Sequence, residues 1–137
     1  APSLDDYLAW PHLQVSGGGD KDSPVEQVLA PLGLSRRWFA RVPFFQAAVE
    51  VLLRTDCLMT TPAHIAWQLS REHALSFCDL PFATRVQQYH LLWHQRHHLD
   101  PAHRWFRELA YPFLRDHLQR TLGESRKQLG LKADPLR

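Results

Sequence analysis

The chain switches repeatedly between two hydrophobic rhythms. Short runs with apolar residues at alternate positions give way to longer stretches in which apolar residues return every third or fourth place. WPHLQVS, residues 10–16, is a brief β-prone run that stops at the glycines of SGGGD. In SPVEQVLAPLG, Ser23 is a candidate N-cap, Pro24 takes the first helical position and Glu26 is placed to close a capping box. Val25, Val28, Leu29 and Leu32 share one helical face, and Gly33 ends it. RRWFARV, residues 36–42, has the aromatic and branched character of a second strand and runs into Pro43. FFQAAVEVLLRTD places Phe45, Ala48, Val49, Leu52 and Leu53 on the stripe of a second helix. LMTTP is a short third strand, PAHIAWQLSREHA a third helix with Ile65, Ala66 and Leu69 in phase, and LSFCDLP, residues 75–81, a fourth strand.

Strands separated by helices of this length predict βαβ units, hence an α/β lobe with a mainly parallel sheet covered by helices. From Pro81 the style changes. FATRVQ is an irregular link to QYHLLWH, a predicted strand with Tyr89, Leu91 and Trp93 on one side and His90, Leu92 and His94 on the other. A long helix follows. Asp100 is its N-cap, Pro101 its first residue, and Trp105, Phe106, Leu109, Phe113, Leu114 and Leu118 form its apolar stripe. Pro112 cannot donate to Glu108, which predicts a kink or break, and the Lys-, Arg- and Gly-rich tail from about Gly123 is expected to fray.

Composition narrows the function classes. A chain of 137 residues, 45% hydrophobic, can bury one core, so one domain or a piece of one is expected. Sixteen Lys and Arg against fourteen Asp and Glu leave a net charge of +2, with the charges scattered, which argues against a nucleic-acid-binding surface here. Apolar runs such as AAVEVLL fall short of the roughly 18 to 20 residues that cross a bilayer, and no signal-peptide pattern is present. Cys57 and Cys78 sit in apolar contexts and read as two buried, reduced thiols.

Candidate chemistry concentrates in residues 90–105, which hold His90, His94, His97, His98 and His103 of the chain's 9 histidines. His94 and His98 have the i, i+4 spacing of zinc ligands, but a helix starting at Asp100 excludes them from a common helical face. His90 and His94 on one side of a strand would lie about 13 Å apart. These imidazoles therefore read as surface and interface groups. SGGGD lacks the ending of a phosphate loop and the spacing of a dinucleotide fingerprint, no nucleophile elbow occurs, and neither cysteine stands in an activating context. No residue pattern names a reaction, and none calls for a cofactor.

One resemblance supplies a function. HLQVS, the GLSRR bend, RVPFF, the TD before LMTT, LSFCDLPF, and YHLLWHQR followed by DPAHRWFREL resemble, in this order and spacing, the C-terminal part of LysR-type transcriptional regulators. The similarity is greatest to the branch with the NodD, NahR and LeuO-like proteins. It extends from about Ser3 to Leu118; Trp38 and Phe39 are bulkier than the pattern, and Pro112 interrupts its last helix. The resemblance implies a periplasmic-binding-protein-like (type II) effector domain. Residues 1–80 would be its lobe II, residues 81–122 a return segment, strand and helix belonging to lobe I, and residues 123–137 a flexible tail. It also implies a small-molecule effector, DNA contact through an N-terminal winged helix-turn-helix outside these residues, RNA polymerase as a partner, homodimers or tetramers, and a cytoplasmic location away from membranes.

In open α/β sheets a ligand binds beyond the carboxyl ends of the strands. Those points are Ser16 and Gly17, then Pro43, Phe44 and Phe45, then Thr60 and Thr61. Hydroxyls and helix N-terminal amides there suit a carboxylate or phenolate, and the phenylalanines an apolar or aromatic body, although Phe45 also fits the helix core stripe. Two other readings are a lobe of a periplasmic solute receptor and a small metalloenzyme built on His94, His98 and His103.

Overall fold

The structure is a computed structural model that describes residues 2–16 and 23–131. It divides into two compact units, Ala1–Arg85 and Val86–Arg137. In the first, α1 (Leu4–Ala9) precedes β1 (His12–Val15), α2 (Pro24–Leu29), β2 (Trp38–Val42), α3 (Phe45–Leu52), β3 (Leu58–Met59) and α4 (Ala63–Glu72). The strands form a parallel sheet in the order β2-β1-β3. Val15 lies opposite Val42 and Leu13 opposite Met59, so all three strands end at one edge.

Side-chain alternation along the strands divides the interior into two clusters. Leu13 and Val15 of β1 and Met59 of β3 pack with Ala48, Val51 and Leu52 of α3. Leu58 of β3 packs with Tyr7 of α1, Val25 and Leu29 of α2, and Leu80 and Phe82. Helices therefore cover both faces of the sheet, as the βαβ pattern requires.

A charged pair links α2 to the segment just before β2. Arg36 is 6% exposed, and its Nε and Nη2 donate to the two carboxylate oxygens of Glu26 at 2.7 and 2.8 Å. This fork-to-fork geometry satisfies a guanidinium that would otherwise be costly to bury. It also corrects the expected capping box: the Glu26 carboxylate serves Arg36, while Ser23 Oγ alone accepts from the Val25 amide.

Four further expectations give way. Residues 75–81 form no strand, although Leu75 and Phe77 are half-buried and Ser76 and Cys78 exposed, the alternation that suggested one. The segment lines a cavity with β3 in place of a ladder with it. Residues 88–94 form no strand either, since the described residues of this unit provide no neighbouring strand and an unpaired strand lacks its ladder. In the second unit, α5 (Pro101–Gln128) continues through Pro112 and past Gly123 without a break. One missing bond costs less than abandoning the turns on either side, and Asp100, whose carboxylate accepts from the Ala102 and His103 amides, anchors its start. Residues 132–137 of the expected tail lie outside the described residues. Finally, Cys57 is buried but Cys78 is exposed; both are free thiols.

The predicted stripe of α5 exists but faces solvent. Trp105 is 65% exposed and Phe113 73%, and Phe106, Leu109 and Leu114 are exposed as well. No helix among the described residues is long and apolar enough to cross a membrane.

Removing one partner of the Arg36–Glu26 pair strands a charge. Glu26→Ala is expected to lower unfolding free energy by about 2–4 kcal/mol, read from urea denaturation at neutral pH. A change below about 0.5 kcal/mol, the range of ordinary surface substitutions, would show that the pair carries no weight.

Candidate functional site

The carboxyl edge of the sheet is assembled from three strand ends. Ser16 follows β1, and its amide donates to Val42 O at 2.9 Å, tying the end of β1 to that of β2. Pro43 and Phe44 follow β2 directly and lead into α3, whose first residue is Phe45. Thr60 and Thr61 follow β3 and lead through Pro62 into α4. The structure thus brings Ser16, Pro43, Phe44, Phe45, Thr60 and Thr61 to the same side of the sheet; Gly17 lies outside the described residues. Phe45 is half-buried, whereas the Phe44 ring is 57% exposed.

The two helices that follow β2 and β3 differ from α1, α2 and α5 at their N-termini. Ser3, Ser23 and Asp100 cap α1, α2 and α5 with side-chain oxygens. Phe44 and Pro62, at the N-caps of α3 and α4, have no capping side chain to offer. No side chain caps either first turn, although the Ile65 amide donates to Pro62 O at 2.9 Å, and the positive ends of the two helix dipoles lie at these N-termini.

Behind the edge runs a buried polar relay. The Thr60 and Tyr7 hydroxyls share a hydrogen bond of 2.8 Å, and Arg36 Nη1 donates to Tyr7 Oη at 3.4 Å. His12 Nε2 contacts the Tyr7 carbonyl at 2.8 Å and its ring lies 4.5 Å from the Tyr7 ring. The end of β3 is thereby linked through Tyr7 to the Arg36–Glu26 pair. His12 is fully buried, its Nδ1 has no partner, and burial is the main reason its pKa is lowered, with Arg36 adding repulsion. Burial thus favours the neutral imidazole at this position.

Tyr7, Thr60 and Thr61 also line a cavity of about 300 Å³ with Trp10, Leu69 and Phe77. Thr61 Oγ1 itself is buried without a hydrogen-bond partner.

In the second unit His97, His98 and His103 are arranged around Arg107. Its Nη1 and Nη2 donate to the carbonyls of His97 and His98 at 3.1 and 3.0 Å, its Nη1 also donates to His103 Nδ1 at 2.8 Å, and its guanidinium covers the Trp93 ring at 4.5 Å. His97 and His103 stack at 5.3 Å, and Trp93 stacks on His98. Among the described residues no group of three or more His, Cys, Asp or Glu is placed to hold a metal ion.

With this geometry in place the kinship of the chain can be read. Residues 1–115 match the family model described as "LysR substrate binding domain". The chain belongs to that family. This LysR domain is 27% identical over 114 residues to the HTH-type transcriptional activator NahR of Pseudomonas putida, covering 83% of this chain and 38% of that protein. It is 31% identical over 113 residues to Nodulation protein D 1 of Sinorhizobium fredii, covering 78% and 34%. It therefore spans about a third of the length of these relatives. Among solved structures, the regulatory domain of MexT, a transcriptional activator in Pseudomonas aeruginosa, superposes with a TM-score of 0.67 at 34% identity, over 79% of this chain and 54% of that one. A transcriptional regulator from Vibrio parahaemolyticus gives 0.65 at 26% identity, over 90% and 55%. The periplasmic-binding-protein-like α/β architecture expected from the sequence is thus shown.

Sequence reasoning missed three residues of this LysR domain that organise its parts. Tyr7 escaped because α1 was not read, although Ser3 and Asp6 form a reciprocal cap that could have marked it: Asp6 Oδ2 accepts from the Ser3 amide, and Ser3 Oγ accepts from the Asp6 amide. Arg36 stood in the GLSRR bend as one of two equivalent arginines, and only the fold sends it inward. Arg107 was the last letter of the DPAHRWFR signature, with no sign that it clasps the histidine loop.

The buried His12 sets a pH dependence. Its lowered pKa means that the unfolded chain binds more protons, so stability is fully present above about pH 6.5 and falls as the pH drops below that value. His12→Gln should flatten the wild-type decline between about pH 6.5 and 5 in paired denaturation curves. Parallel curves for the two proteins would remove His12 as its source.

Proposed function

We propose that this LysR domain is the effector-sensing part of a bacterial transcriptional regulator, binding a small aromatic or carboxylated molecule at the carboxyl edge of its sheet. In this reading Ser16, Gly17, Pro43, Phe44, Phe45, Thr60 and Thr61 face a cleft closed by a second lobe. Residues 1–80 form lobe II and residues 81–122 return to lobe I, in keeping with the compact unit Ala1–Arg85 and the solvent-facing stripe of α5. The domain binds its ligand without chemical change. Effector-driven lobe closure then re-angles DNA-binding dimers in the cytoplasm and alters their engagement with RNA polymerase.

The observation that carries the reading is the pairing of the exposed Phe44 ring with two uncapped helix N-termini on one edge. An aromatic carboxylate matches both, its ring on Phe44 and its charge at the helix ends. That the named relatives are transcriptional regulators supports the same conclusion.

The test is a titration of the full-length protein with a panel of aromatic carboxylates, followed by intrinsic tryptophan fluorescence. Burial of a phenyl ring contributes about 1.5–3 kcal/mol, so Phe44→Ala should weaken the tightest binder roughly 10- to 100-fold with stability retained. Unchanged affinity in Phe44→Ala would place the ligand elsewhere.

A further inference from the structure

The three parallel strands end at the edge that carries the proposed effector site, so they begin at the opposite one. A hollow of about 480 Å³ lies at that amino edge, lined by Trp10 and Pro11 before β1, Arg37 before β2, Asp56 before β3, and Phe39 of β2 itself. Its size is within the roughly 300 to 1,000 Å³ of small-molecule sites. Phe39 reaches it through an irregularity in the ladder. His12 pairs with Trp38 and Leu13 with Ala40, which leaves Phe39 as an extra residue bulged from β2, and a bulge re-aims the side chain it carries. The Phe39 and Trp10 rings are both exposed, and Phe39 is one of two positions at which the chain is bulkier than the family pattern.

The charges of the hollow are not spent on each other. Arg37 and Asp56 both line it, yet they form no ion pair with one another. Arg37 Nη2 donates to Ala9 O at 3.3 Å, which tethers one arm of the guanidinium and leaves its other N–H groups without protein acceptors. Among the described residues the Asp56 carboxylate has neither a hydrogen bond nor an ion pair. A lone anion would set its charge against Asp56, and a lone cation against Arg37. A ligand with both charges at one end and an aromatic body at the other matches all four side chains: its carboxylate on the Arg37 fork, its ammonium at Asp56, its ring against Trp10 and Phe39. We propose that this hollow is a second binding site, for an aromatic α-amino acid, separate from the effector edge at the other end of the strands. Its two charges are exposed and screened, so each contributes a modest factor and the site is one of low affinity.

The experiment follows the Trp10 indole and the Arg37, Phe39 and Asp56 amide signals of isotope-labelled full-length protein, a readout local to this edge. The probes are L-phenylalanine, L-phenylalaninamide, 3-phenylpropionate and L-alanine. Phenylalanine should move these signals to saturation. Phenylalaninamide and phenylpropionate, each lacking one charge, should bind here about 2- to 5-fold more weakly, and alanine, lacking the ring, at least about 5-fold more weakly. Asp56→Asn should abolish the preference over phenylpropionate and keep that over phenylalaninamide. Arg37→Gln should do the converse, and Phe39→Val should weaken all three aromatic probes. Arg37 and Asp56 are exposed, so both charge variants retain the fold. Phe44→Ala should leave phenylalanine binding at these signals intact, which separates this site from the effector edge. The proposal is overturned if phenylalanine leaves the signals unmoved, if either singly charged probe binds here as tightly, or if both charge variants weaken every probe alike.

Discussion

The Arg36–Glu26 pair, its guanidinium buried and its carboxylate 36% exposed, is the constraint on which the first unit rests. It fastens α2 to the approach to β2, and through Tyr7 it reaches Thr60 at the end of β3. A guanidinium with 3% of its side chain exposed tolerates little displacement, because each lost contact leaves a donor unpaired in a medium of low polarity. The Trp38 ring, 4.4 Å from the Arg36 guanidinium carbon, covers one of its faces. The bulky residue at position 38, a departure from the family pattern, therefore has a role. The edge that carries the proposed effector site is held from beneath by this pair.

The second unit solves a smaller version of the same problem with Arg107. A turn dense in histidines ends with carbonyls that a helix starting at Pro101 does not satisfy, and one arginine a turn and a half into that helix reaches back to two of them. Its planar fork suits the task in a way a lysine would not. The histidines that looked like metal ligands are instead parts of this packing: His94 Nδ1 accepts from the Arg96 amide and His98 Nδ1 from the Trp93 indole.

The legible parts of the fold were those written in local rhythm. β1, β2, β3 and the helices between them emerged from periodicity and from Ser-Pro and Asp-Pro starts, and the parallel order followed from their alternation. The illegible parts depend on partners distant in the chain. Residues 75–81 and 88–94 alternate like strands, but alternation specifies which side is buried and says nothing of whether a neighbour exists to pair with. α1 is a single short helix of six residues, and its apolar positions Leu4, Tyr7 and Leu8 span too few turns to announce a period. Of the candidate site, the strand ends at Ser16, Pro43 and Thr60 were readable because topology dictates them. The contribution of Tyr7 was not, since its hydroxyl meets that of Thr60 from more than fifty positions away in the chain.

The central claim is that the open N-termini of α3 and α4 receive the ligand. Amide chemical shifts of the isotope-labelled full-length protein, recorded as an aromatic carboxylate such as benzoate is added, test it most directly. The account predicts the largest shifts at the first-turn amides Phe45 to Ala47 of α3 and at Ala63 of α4, with the side-chain-capped first turns of α2 and α5 still. Shifts concentrated at α2 or α5, with α3 and α4 unmoved, would contradict it.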